Sequence, residues 1–177
     1  MRRRHVVLGL TSLMPATALA ATATAPHEGR LTDRVKHVVV LYESAWNSSD
    51  MAAMAELYAP DVHWVNIVGM HWKGREEVDY AHRALFDQSF RGVTTTLEEV
   101  ESITPVPGGG AIAVVRWAVG PYRTPSGQVS PASRTRMSLT LVPQGDRLLI
   151  AHGANIQIVE GAQRSDPVVR RQEQLKE

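Results

Sequence analysis

Apolar residues recur at three- and four-residue spacing between Leu31 and Trp46, at Val35, Val38, Val39, Tyr42 and Trp46. That period predicts an amphipathic helix. Asn47-Ser48-Ser49-Asp50 stops it, and Asp50 is placed to cap a second helix, Met51 to Tyr58. Pro60 ends the second helix, because a residue before proline avoids helical geometry. Val62 to Val68 is rich in β-branched and aromatic residues and reads as a strand. Gly69 and Gly74 bracket a short turn-and-strand piece that contains Trp72. Arg75 to Phe86 is a third helix, with Val78, His82 and Phe86 one turn apart on its inward stripe. Four further strands are predicted at 93–104, 111–120, 134–142 and 148–159, separated by Gly/Pro-rich turns. With no helical segment between them they form an antiparallel meander. The polar tail, Gly161 to Glu177, contains Ser165-Asp166-Pro167, which can open a short helix; disorder fits its composition equally well.

The first twenty residues follow a different logic. Arg2, Arg3 and Arg4 precede a short apolar run from Val6 to Leu13, and Ala18-Leu19-Ala20 has the small-x-small form of a cleavage site. The pattern predicts a secretory signal peptide rather than a membrane span, by the Sec or the twin-arginine route. The expected organisation is a signal peptide at 1–20, a linker at 21–30, one domain at 31–159 and a tail at 160–177. The protein is then exported, periplasmic or extracellular.

Removal of that segment changes the charge. The chain has 19 Lys and Arg against 18 Asp and Glu, and residues 1–20 hold three Arg and no acid. The mature chain has 16 basic and 18 acidic residues, a net charge of −2. A weakly acidic domain without a basic cluster argues against a nucleic-acid partner. Beyond the signal segment no apolar run reaches membrane-spanning length, so no membrane partner is expected after its removal. The chain has no cysteine, which excludes a thiol nucleophile, a thiolate metal site and an iron–sulfur centre.

The element order and four motifs together resemble one family. The motifs are WNSSD at 46–50, DVHWVNIVG at 61–69, GREEV at 74–78 with His82 four residues on, and LLIAHGAN at 148–155. They resemble the SnoaL-like group of the nuclear transport factor 2-like superfamily, and within it the SgcJ/EcaC-type branch. The resemblance spans roughly 31–159. It implies an α+β fold, a cone-shaped curved antiparallel sheet wrapped around three N-terminal helices, with an apolar pocket open at one end and a homodimeric assembly. Members include isomerases, dehydratases, cyclases, hydrolases and plain ligand-binding modules, so the fold alone does not choose a function.

Candidate chemistry follows from that pocket. In the resembling ketosteroid-isomerase branch a catalytic aspartate lies close to the position of Asn66. An amide can orient a carbonyl or a water but cannot act as a general base at neutral pH. The same resemblance gives Tyr42 the role of donor to a developing oxyanion. It places His82 beside that tyrosine, where an imidazole can act as acid, base or hydrogen-bond partner. A core role for each of the three remains open. Asn155 shares a face with Leu149, Ala151 and Gly153 unless a β-bulge exchanges the phase. Arg136 could face inward toward a carbonyl or anion, or form a rim ion pair. Trp46, Trp64, Trp72 and Trp117 suit the walls of a pocket for a flat or polycyclic ligand, and suit an ordinary core equally.

No HxH or HExxH spacing is present, so no metal is expected. The chain also lacks a GxSxG elbow and a dinucleotide fingerprint, and no cofactor is expected. Two functional readings result. One is an exported pocket protein for a small apolar or aromatic molecule, which in its enzymatic form is a cofactor-free acid–base catalyst acting on a carbonyl compound with His82 and Tyr42 as catalytic residues. The other is a non-catalytic ligand-binding or dimerisation module of the same fold.

Overall fold

The computed structural model describes residues 25–176, and the predicted signal segment lies outside them. Helix α1 (Ala25–Asn47) takes in the second half of the expected linker. It buries Leu31, Val35, Val38, Val39, Tyr42 and Ala45, the stripe set by the 3.6-residue period. Ser49 adopts a positive φ of 55° and turns the chain, and Asp50 then caps α2 (Met51–Ala55) by accepting from the Ala53 N–H at 2.9 Å.

Strand β1 (Tyr58–Val65) begins four residues earlier than the sequence pattern suggests. Leu57, Tyr58 and Ala59 are all buried, so the apolar run before Pro60 belongs to the sheet and α2 is one turn shorter than expected. A tight turn leads to β2 (His71–Lys73), and α3 (Gly74–Leu85) follows directly. Its last turn widens into a π-helical turn, Phe86–Phe90, closed by Arg91 N–H donating to the Phe86 carbonyl at 3.0 Å.

The rest is sheet. Strands β3 (Thr95–Val106), β4 (Gly110–Val119), β7 (Ser133–Gln144) and β8 (Arg147–Gln157) form the expected antiparallel meander. A small hairpin, β5 (Tyr122–Arg123) with β6 (Val129–Ser130), stands apart between β4 and β7. The order of the main sheet is β2-β1-β8-β7-β4-β3. One pairing departs from the antiparallel expectation: β1 runs parallel to β8, with Trp64 opposite Gly153. Two short helices, α4 (Glu160–Gln163) and α5 (Pro167–Gln174), occupy the tail, and Asp166 caps the second.

The sheet curves around the three N-terminal helices, and α1 packs on β3, β4 and β8. The end of α1 also guards the sheet's exposed edge. Asn47 exchanges two hydrogen bonds with the Thr95 backbone at 2.8 and 2.9 Å, and Glu43 accepts from the Leu97 N–H at 2.7 Å. Those groups would otherwise leave an open strand edge. They also fix where the pocket-facing end of α1 sits, including Trp46, whose indole N–H donates to the Val93 carbonyl at 2.9 Å.

The register of β8 slips between its pairs with Leu141 and Thr140, so Ala151 is an extra residue. Gly153 and Asn155 therefore share the inner face with Leu148 and Ile150, while His152 turns outward. The Trp64 indole lies against Gly153, and a Cβ added there would collide with two atoms of the ring and crowd a third. Gly153→Ala is expected to cost about 1–3 kcal/mol as overpacking and to shift tryptophan emission. A urea titration followed by fluorescence measures both, and unchanged stability with unchanged emission would contradict this packing.

Candidate functional site

An aromatic cavity opens where the end of α1, the π turn and the β1–β2 hairpin meet. Its wall is formed by Tyr42, Trp46, Trp64, Asn66, Ile67, Trp72, His82, Leu85, Phe86, Phe90 and Asn155. The cavity is small, about 60 Å³. That is room for a few waters or one small ring. The polycyclic ligand suggested by four tryptophans does not fit it as it stands. No side chain in this wall carries a charge at neutral pH.

His82 is the group with the most to offer. It is 6% exposed and boxed by rings. Tyr58 stacks on it at 5.9 Å between centroids, and Trp64 and Trp72 meet it edge-on at 5.3 and 5.5 Å. Its Nδ1–H donates to the Val78 carbonyl one turn back at 2.8 Å. Since a carbonyl only accepts, the proton of the neutral ring sits on Nδ1, and Nε2 keeps its lone pair. Burial lowers the imidazole pKa to about 4, only partly opposed by the Val78 bond and by nearby Asp79.

Tyr42 stacks on Trp64 at 6.0 Å and 14°. Burial pushes its phenol far above the ordinary value, so it is a donor and not a base. Its hydroxyl and that of Tyr58 lie near enough to influence each other's ionisation. Tyr58 Oη nonetheless makes no hydrogen bond of ordinary geometry, although it is sealed from solvent. Asn66 ends β1 and organises the hairpin: its Oδ1 accepts from Val68 N–H at 3.1 Å and Met70 N–H at 2.9 Å. That side-chain oxygen is committed to the turn. Asn155 stands, like Asn66, one residue beyond the last β1–β8 pair, Val65 with Ala154. Its Oδ1 is buried without a partner.

Trp46, Trp64 and Trp72 therefore line the cavity with His82, Tyr42, Asn66 and Asn155, whereas two of the sequence candidates lie elsewhere. Trp117 is a core residue, 2% exposed, packed behind Tyr42 at 5.8 Å. Arg136 faces outward from β7, because Thr135 and Met137 take the inner positions. It donates to Glu101 at 2.6 and 2.9 Å, and that pairing holds the Glu101 carboxyl below its usual range. It belongs to a surface network in which Arg116 and Arg134 share Glu98. The sequence pattern also missed wall residues. Phe90 was hidden because nothing in the composition announces a π turn. Tyr58 lies behind His82 rather than in the wall, in a strand where the pattern predicts a helix, although Leu57-Tyr58-Ala59 has the apolar continuity of a buried strand. His63 and His71 pair on the outside of the hairpin, Nδ1 to Nε2 at 3.0 Å. Among the described residues no three His, Asp or Glu converge as metal ligands, and no helix is long and apolar enough to cross a membrane.

The model of the SnoaL-like domain matches residues 38–143, more than half of the chain. The protein belongs to the SnoaL-like domain family. No curated protein matches its sequence. Among solved structures, an uncharacterised protein with a cystatin-like fold from Caulobacter vibrioides is 35% identical over 80% of this chain and 99% of its own, with a TM-score of 0.76. A ketosteroid isomerase-like protein from Erwinia carotovora atroseptica shares 15% identity over 72% of this chain and 95% of its own, TM-score 0.62. A nuclear transport factor 2-like protein from Salmonella enterica shares 14% identity over 75% and 94%, TM-score 0.64. The two distant likenesses speak for the fold alone.

In this SnoaL-like domain the neutral state of His82 couples to stability. Its folded pKa, about 4, lies below the ordinary 6.5. Between those values the unfolded chain takes up a proton that the folded chain refuses. The contribution is complete above pH 6.5 and is lost as pH falls toward 4, with a ceiling of about 3 kcal/mol. His82→Leu is expected to lose about 2–3 kcal/mol less than the parent between pH 7 and pH 4, measured by urea unfolding at each pH. Identical pH dependence in the two proteins would refute a buried neutral imidazole.

Proposed function

We propose that this SnoaL-like domain is a pocket protein that binds a small uncharged apolar or aromatic molecule in the cavity over Trp64, without a cofactor. The observation that carries the reading is an apolar, ring-lined cavity holding an imidazole whose Nε2 has no partner in the fold. The resemblance of its motifs supports, as part of this proposal, the SgcJ/EcaC-type branch.

A catalytic reading has one specific support, since the Val78 bond fixes Nε2 as a proton acceptor aimed by a rigid helix. The lowered pKa weakens it. A base with a pKa near 4 has little driving force at neutral pH. Asn66 cannot replace a carboxylate, and its oxygen is occupied by the turn. Binding is therefore the better supported function, and isomerisation, dehydration or cyclisation of a carbonyl compound is second.

Export and homodimerisation belong to the same proposal. Export rests on the three-part pattern of residues 1–20; the secreted protein should begin near Ala21 when its N-terminus is sequenced. The dimer contact we favour is the outer sheet face, where Ile112 and Ile156 are 40% and 61% exposed. Sedimentation equilibrium should then give twice the chain mass, and Ile156→Arg should lower it toward the monomer.

The binding reading is tested by thermal shift with single-ring aromatic compounds. A compound at a hundred times its Kd should stabilise the protein by about 2.7 kcal/mol, or several degrees in Tm. The shift should vanish in His82→Ala and persist in Arg136→Ala. A panel without any stabilising compound, or equal shifts in His82→Ala, would count against this site.

A further inference from the structure

We propose that His63 and His71, on the outer face of the β1–β2 hairpin, form a two-imidazole site for a divalent transition-metal ion, with copper(II) held most tightly.

The two residues stand eight apart in the chain, a spacing that reads as no metal motif. The hairpin brings them together. His63 pairs with Lys73 across it, and Val65 with His71. Trp64 and Trp72, paired on the same two strands, face the cavity, so alternation sends both histidines outward. There His63 Nδ1 and His71 Nε2 approach to 3.0 Å, with ring centroids 5.1 Å apart. Both residues are exposed, and an ion reaches them directly from solvent.

That separation is what one metal ion requires. Two imidazole nitrogens bound at about 2.0–2.1 Å to a common ion stand about 2.9 to 3.4 Å apart, from a right-angled to a tetrahedral arrangement. A small turn of each ring redirects the two lone pairs from one another to one shared point. A neutral pair loses no proton in doing so: His63 binds through Nδ1 with its proton on Nε2, and His71 through Nε2 with its proton on Nδ1. The strand ladder already fixes both backbones, so little chain freedom is lost on chelation. Nitrogen donors suit copper, nickel and zinc rather than calcium or magnesium, and the usual order of affinity puts copper(II) first. The nearby charges offset each other: Lys73 lies opposite His63, and Asp61 precedes it by two on the outer face. His152 also faces outward, opposite His63 on β8. No three such groups converge among the described residues, so water fills the remaining coordination positions.

Neither histidine belongs to the cavity wall, but the site touches the frame of the cavity. Strand β2 is a three-residue edge strand held in the sheet by β1. An ion bridging His63 to His71 ties it down, and with it Trp72, which does line the cavity.

The untagged mature chain is titrated with copper(II), nickel(II) and zinc(II) salts by calorimetry. One ion per chain is expected, with copper tightest. His63→Ala and His71→Ala should each weaken copper binding at least about tenfold. His37→Ala, at an exposed position on α1, should leave it unchanged. Circular dichroism checks that each variant folds. The electron paramagnetic resonance spectrum of bound copper(II) should show splitting by two nitrogens in the parent and by one in either hairpin variant. Copper should raise the Tm of the parent and of neither hairpin variant. The absence of saturable binding at millimolar metal would overturn the site, as would unchanged affinity in both hairpin variants or an equal loss in His37→Ala. The two rings would then be a hydrogen-bonded pair only, and the reading of the cavity would stand.

Discussion

The site depends on one contact, the Trp64 indole lying against Gly153. A sheet surface normally presents a side chain at every second position, and a large ring must stand off it. The missing Cβ at Gly153 lets the indole drop onto the backbone of β8. From that position it touches Tyr42 on α1, Tyr58 at the start of β1 and His82 on α3. Three separate elements are thereby referred to one rigid plane. Trp72 faces Trp64 across the hairpin and adds the opposite edge. The cavity is the space this set of rings cannot fill.

Within that box His82 is held in a state it would not adopt in water at mildly acidic pH. Aromatic neighbours remove its hydration, and the Val78 carbonyl decides which nitrogen keeps the proton. The structure thus trades base strength for a fixed pattern of lone pair and proton. That trade suits recognition better than proton transfer, because a hydrogen-bond acceptor need not be a strong base to discriminate among ligands. On β8 the Asn155 Oδ1 is buried without a partner.

Much of this was legible in the chain. The helix stripe from Leu31 to Trp46, the Asp50 cap and the order of the long strands follow from periodicity and turn chemistry, and the fold follows from them. The stripe of Val78, His82 and Phe86 points His82 inward, whereas the four tryptophans stand together by residue type alone, which does not separate Trp117 in the core from the three at the cavity. What was not legible depended on register. The extra residue at Ala151 decides that Asn155 looks inward, and alternation alone cannot reveal it. The outward turn of Arg136 follows from Thr135 and Met137 being buried, which reverses if a strand slips by one residue. Tyr58 went astray because Pro60 reads as a helix terminator, while in the fold it lies where β1 loses its pairing with β8. The size of the cavity was beyond reach, since four tryptophans are compatible with a filled core and with a hollow one.

The parallel pairing of β1 with β8 has a consequence for biosynthesis. It joins a strand that ends at Val65 to one that starts at Arg147, and the whole meander lies between them. Contacts so distant along the chain form late. While the ribosome is still making β3, β4 and β7, the rings of the first hairpin have no backbone to rest on and stay uncovered. The cavity is assembled late, and until then the rings of its future walls are uncovered apolar surface exposed to aggregation.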